Sequence, residues 1–93
     1  MIETVLAWNL EAAPDKFEEL AHVCRVAGGG PGLVRWLGHL KQQVGITGTL
    51  SSHGVRQEQI PQLVEIALQD ICHQTNPRPV TAQDFERLFA AAM

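Results

Sequence analysis

The chain has 93 residues and a net charge of −3, with 45% apolar and 18% charged residues. This balance describes one small globular domain and excludes disorder. The length is too short for a nucleotide domain beside a substrate domain, since one βαβ unit alone takes about 30 residues. Seven Lys and Arg stand against ten Asp and Glu without forming a basic stripe, which argues against a nucleic-acid partner.

The pattern is helical throughout. Residues 2–8 place Ile2, Val5 and Leu6 on one face and read as the tail of a helix. No capping residue precedes them, and Asn9 in the left-handed region is expected to end the helix. Pro14 suits a first helical position, and Asp15, Glu18 and Glu19 favour the dipole of the helix it opens. Phe17, Leu20, Ala21 and Cys24 follow at i, i+3, i+4, i+7 as one expected buried stripe. Gly28-Gly29-Gly30 is expected to stop that helix and act as a flexible connector. It lacks the preceding strand and the following Gly-Lys-Ser or Gly-Lys-Thr of a phosphate loop.

Pro31 is expected to open the third helix, with Leu33, Val34, Leu37, Leu40 and Val44 toward the core and Gly45 as its stop. Residues 46–56 are turn-rich, with room for one helical turn around Thr49–His53. The fourth helix is expected to run from Gln57 or Ile60 to His73, burying Ile60, Leu63, Val64, Ala67, Ile71 and Cys72, with Pro61 tolerated in its first turn. Two prolines force Thr75–Val80 into an extended loop. Thr81 with Asp84 three residues later reads as a capping box for a last helix carrying Phe85, Leu88, Phe89 and Ala92.

No strand alternation and no internal repeat occurs. The fold class is therefore all-α, an orthogonal bundle of four to five helices over a single domain, 1–93. Phe17, Leu20, Leu37, Leu40, Leu63, Val64, Ala67, Ile71, Phe85, Leu88 and Phe89 are its expected core, with Trp8 and Trp36 half-buried.

Chemistry is sparse. No run of about 18 apolar residues marks a membrane span, and Met1-Ile2-Glu3-Thr4 lacks the basic start of a signal peptide. Cys24 and Cys72 lie far apart with no C-x-x-C, so two reduced, largely buried thiols in a cytoplasmic protein are expected. His22, His39, His53 and His73 share no helix face at i, i+4 and form no H-E-x-x-H, so they read as surface residues rather than a metal set. Cys72 near a helix C-terminus is a poor nucleophile, because the dipole there disfavours a thiolate. The loop Thr75–Pro79 combines a restrained backbone with the carboxamide of Asn76 and the guanidinium of Arg78. It reads as a helix connector in which Asn76 caps the preceding helix, or as a scaffold holding a side chain against a ligand.

This stretch also carries a family resemblance. Asp70-Ile71-Cys72-His73-Gln74-Thr75-Asn76-Pro77-Arg78, followed by the capped helix from Thr81, resembles the C-terminal signature of iron-containing (group III) alcohol dehydrogenases. There, a helix ending in Asp-x-Cys precedes Thr-Asn-Pro-Arg and a capped final helix. Trp8-Asn9, Pro14-Asp15-Lys16-Phe17 with Leu20-Ala21, Val44-Gly45-Ile46, Gly54-Val55 and Ile60-Pro61 with Leu63 extend the likeness along the chain. The resemblance implies the distal half of that family's helical domain, in an enzyme several times longer. Such enzymes bind NAD(P) in an N-terminal α/β domain and hold iron or zinc with one Asp and three His.

None of the four histidines here occupies the positions of those ligands, and the glycine-rich pyrophosphate motif is absent. The resemblance therefore implies no catalytic residue, metal ligand or cofactor-binding residue in this chain. It implies a substrate-pocket edge at Cys72, with Asn76 and Arg78 in the adjoining loop. In the full-length enzyme the metal would polarise an alcohol oxygen while hydride passes to nicotinamide. The expected partner is the missing N-terminal, metal-binding part, or a second copy meeting an exposed apolar face. A free-standing, non-catalytic helical interaction or dimerisation module is the alternative.

Overall fold

The computed structural model describes all residues, Met1–Met93, and contains five α-helices and no strand. They are α1 (Ile2–Leu10), α2 (Pro14–Val23), α3 (Gly29–Gln43), α4 (Ile60–Gln69) and α5 (Ala82–Ala92). Single 3-10 turns occupy Ser51–His53, Gln57–Gln59 and Ile71–Thr75. The all-α expectation is borne out. The helices gather into two compact units, Ile2–Thr47 and Gly48–Met93, the latter grouped with Met1.

In Ile2–Thr47, Phe17 and Ala21 of α2 pack on Leu33 of α3, ringed by Leu6, Leu10, Ala13, Val26, Val34 and Leu37. Leu20 and Cys24, expected in the same stripe, are exposed. The buried face of α2 centres between Phe17 and Ala21. Leu20 lies roughly 80° around the helix from that centre, and Cys24 is already the C-cap. Asn9 is helical and buried, not left-handed, and its carbonyl accepts the amides of Ala12 and Ala13 at 3.0 and 3.1 Å.

The three glycines do not form a flexible connector. Gly28 is the N-cap of α3, Gly29 is its first residue, and Gly30 is buried inside it. A Cβ at Gly30 would stand 3.0 Å from the Cβ of Phe17 and strike Leu10, so glycine lets α3 approach α2. The Glu18 carboxylate accepts the Gly30 amide at 3.2 Å, so a side chain of the chain itself occupies this helix start.

Both long helices of this unit end alike. The amides of Gly45 and Ile46 bond back to Gln42 and Lys41 after α3, and those of Arg25 and Val26 to His22 and Ala21 after α2. This is the Schellman closure, which needs a left-handed residue. Gly45 meets that need at φ 81°, as expected, whereas Arg25 does so at φ 55° with a side chain.

In Gly48–Met93, Ile60 and Val64 of α4 and Leu88 and Ala92 of α5 are buried. Leu63, Ala67, Phe85 and Phe89 are half-buried around them. The Leu50 amide donates to the Ala92 carbonyl at 2.9 Å, closing the unit. The turn expected near Thr49–His53 is present. It is held by reciprocal bonds between Thr49 and Ser52, at 2.8 Å from the Thr49 amide to Ser52 Oγ and 3.3 Å from the Ser52 amide to Thr49 Oγ1.

Helix α4 stops at Gln69, four residues before the expected end. Ile71, expected in the core, is consequently 73% exposed, and Cys72 is exposed too. Both thiols are therefore free and exposed rather than buried. Leu40 and Trp36 are likewise exposed, while Trp8 is half-buried as expected.

Candidate functional site

The candidate site is the connection from α4 to α5. It begins where Asp70 turns extended, at φ −77° and ψ 127°. The Asp70 carboxylate accepts the Cys72 amide at 2.8 Å, competing with the helix for that donor. The chain restarts as the 3-10 turn Ile71–Thr75, with Asp70 as its cap. This local competition is why α4 ends early. Thr75 Oγ1 donates to the Cys72 carbonyl at 3.1 Å and closes the turn from the other side.

Asn76 precedes Pro77 and is extended, with ψ 141°. Its Nδ2 donates forward to the Arg78 carbonyl at 2.6 Å, so this side chain straps the Asn76-Pro77-Arg78 turn. Helix α4 is capped instead at Asp70, whose amide bonds to the Ile66 carbonyl, and the Asn76 amide closes the following 3-10 turn on the His73 carbonyl at 3.2 Å.

The expected pocket-edge residues thus fall on one connection. Asn76 and Arg78 are half-buried and joined directly, while Cys72 is exposed and tied in through Asp70 and Thr75. Beyond them, Thr81 Oγ1 accepts the Asp84 amide at 3.2 Å, and Asp84 Oδ2 accepts the Thr81 amide at 3.0 Å and its hydroxyl at 2.7 Å. That is the expected capping box, and it fixes where the loop ends.

The electrostatics follow from these bonds. The Cys72 thiol is pushed above its ordinary value, first by its hydrogen bond to Asp70 and then by the repulsion of that carboxylate. Asp70 is held low, chiefly by the Cys72 amide. Asp84 is held low by the Thr81 hydroxyl and amide, with smaller help from Arg87 and Arg78. Cys72 therefore presents a neutral thiol, suited to contact and unsuited to nucleophilic attack.

Sequence reasoning placed His73 among the surface histidines. It is half-buried, with its ring edge-on to Phe85 at 5.7 Å and Nε2 3.3 Å from the Leu68 carbonyl. Phe85 stacks on Phe89 at 6.2 Å, so an aromatic row backs the loop. The signal was available: His73 lies beyond a local Asp-x-Cys turn, which rotates it from the expected helical position.

No three His, Cys, Asp or Glu side chains converge where they could hold a metal ion. The chain by itself offers iron or zinc no ligand set, and with no strand it offers a dinucleotide no βαβ crevice. No helix is long and apolar enough to cross a membrane.

Compared with known proteins, residues 1–93 match the Fe-containing alcohol dehydrogenase family, C-terminal. This chain belongs to that family. Lactaldehyde reductase of Escherichia coli (strain K12) is 32% identical over 99 residues, covering 99% of this chain and 26% of that protein. The protein of the same name in Escherichia coli O157:H7 matches equally. NAD-dependent methanol dehydrogenase of Bacillus methanolicus is 28% identical over 96 residues, covering 96% of this chain and 25% of that protein. The chain thus spans about a quarter of the length of these curated relatives. The chain is all-helical and corresponds to the C-terminal part of that family.

Proposed function

We propose that this chain is the C-terminal helical part of a cytoplasmic, metal-dependent, NAD(P)-linked oxidoreductase that interconverts alcohols and aldehydes. The match of all 93 residues to the C-terminal part of the Fe-containing alcohol dehydrogenase family carries this reading. The names of the relatives, a lactaldehyde reductase and an NAD-dependent methanol dehydrogenase, support the substrate class. Metal and nicotinamide belong to the remainder of such an enzyme, which is also this chain's partner.

The chain's own contribution is packing and one wall of the substrate pocket. Asn76 holds the Arg78 carbonyl and so sets the shape of that wall. Cys72 adds a neutral, polarizable surface whose thiol Asp70 keeps protonated.

The test grafts this chain in place of the matching quarter of Escherichia coli lactaldehyde reductase. The fusion is expected to catalyse nicotinamide-dependent aldehyde reduction, and the free chain to catalyse none with iron or zinc added. Asn76→Ala in the fusion is expected to raise KM about fivefold, the equivalent of one lost hydrogen bond of ~1 kcal/mol, with little change in kcat. Turnover by the free chain, or a folded, metal-loaded fusion without activity, would overturn the proposal.

A further inference from the structure

We infer that the apolar seam along the C-terminal half of α3 is the surface on which the preceding portion of such a dehydrogenase docks. This rests on the functional reading above and adds which face is used.

Trp36 and Leu40 of α3 and its C-cap Val44 recur every four residues along one face. The same face starts with Leu33, which is buried under α1 and α2. The Glu3–Lys41 ion pair carries α1 along α3 to its last turn. The covered side runs through Gly30, Val34 and Leu37 to Lys41, so Trp36 and Leu40 stay exposed because they lie to one side of it.

The Schellman closure then folds Ile46 back over the last turn, through the 2.8 Å bond from its amide to the Lys41 carbonyl. Closures of this kind set an apolar residue beside the end of the helix, which extends the seam. Val44 and Ile46 are each 62% exposed. The neighbouring cation, Lys41, is neutralised by both oxygens of Glu3 at 2.7 and 2.8 Å. The seam therefore carries no uncompensated lysine at its edge, and a partner that covers it needs apolar side chains rather than charge.

The Glu3–Lys41 bond also identifies the occupant. It brings the start of α1 to the end of α3 where the seam is bare. Most of each relative's length lies outside the match, and the match is to the family's C-terminal part. In a longer family member the polypeptide therefore enters α1 beside this seam. Its preceding segment is the nearest covering for Trp36, Leu40, Val44 and Ile46.

Carbene footprinting with mass spectrometry tests this on the full chain and on the lactaldehyde reductase fusion. The peptide carrying Val44 and Ile46 is expected to label heavily in the free chain and severalfold less in the fusion. Val44→Asp with Ile46→Asp is expected to leave the free chain's unfolding midpoint unchanged and to restore labelling around Trp36 and Leu40 in the fusion. Protection in an inactive fusion supports the docking face while sinking the functional reading. Full labelling in an active fusion overturns the docking face and leaves the functional reading standing. Sedimentation of the free chain is expected to give a monomer, and a dimer dissolved by Val44→Asp overturns the proposal in favour of a second copy. If the fusion is insoluble, the free chain is mixed with the separately expressed preceding portion of the reductase, and unchanged labelling overturns the proposal.

Discussion

Ile2–Thr47 is built of three α-helices and Gly48–Met93 of two α-helices and three 3-10 turns, and different forces shape them. The first is set by close approach: Gly30 lets α3 meet Phe17 of α2 and Leu10 of α1, with no room for a side chain between them. The second is set by local side-chain bonds to the backbone, with Asp70, Asn76, Thr81 and Asp84 each fixing one turn or helix start. Shape in the first unit thus depends on residues distant in sequence, and in the second largely on neighbours within three positions. The candidate site lies in the second, where a loop is held rigid without being buried.

The largest test of that contrast is Gly30→Ala. Alanine gains about 1 kcal/mol of helix propensity, but its Cβ would stand 3.0 Å from the Phe17 Cβ and strike Leu10, an overlap that costs about 3 kcal/mol. Urea unfolding is expected to show a net loss of about 2 kcal/mol; a stabilised variant would break the close-approach account. Thr81→Ala is expected to cost about 1 kcal/mol through the lost cap, with faster hydrogen exchange confined to the first turn of α5. Exchange that rises evenly across Gly48–Met93 would count against local control.

Arg25→Gly works in the opposite direction. A side chain at φ 55° carries left-handed strain, and glycine is expected to raise stability by about 0.5–1 kcal/mol after its larger unfolded entropy is counted. Lys41→Met is expected to cost about 0.2–1 kcal/mol, less in high salt, because Glu3 is partly solvated.

The smallest effect is a pH slope. Glu3 is held low first by the Lys41 hydrogen bond, and Asp84 first by the Thr81 hydroxyl. Folded values below unfolded ones give stability that is complete above roughly pH 4–5. That stability is lost as pH falls through the folded values. Acid titration of the melting temperature is expected to show this, with a shallower slope in Asp84→Asn. An unchanged slope would detach the capping box from acid sensitivity.

Much of the second unit was legible because its determinants are short-range. Thr81 with Asp84 and the two prolines around Arg78 act over three residues or fewer, so their outcome does not wait on the fold. The Asp70–Cys72 turn is equally local but has the pattern of a helix, because the apolar spacing through Ile71 and Cys72 conceals the competing carboxylate. In the first unit, Gly28-Gly29-Gly30 looked like a breaker because glycine's backbone freedom is visible in sequence and its lack of a Cβ against Phe17 is not. Leu20 and Cys24 fit the helical period yet lie outside the contact, since α2 buries only the narrow face between Phe17 and Ala21.

For this protein, sequence alone determined the all-helical class, the capped final helix and the likeness of the Asn-Pro-Arg connection to iron-containing alcohol dehydrogenases. These depend on local propensity and on residues adjacent in the chain. Tertiary structure decided which residues of each apolar stripe are covered, why Gly30 must be glycine, and which side of α3 its neighbours leave bare. Burial depends on the length and approach of neighbouring elements, and periodicity carries neither. The 62% exposure of Val44 follows from that difference: the stripe runs on through Leu40 to Val44, while the neighbouring helices cover the side of α3 that carries Val34, Leu37 and Lys41.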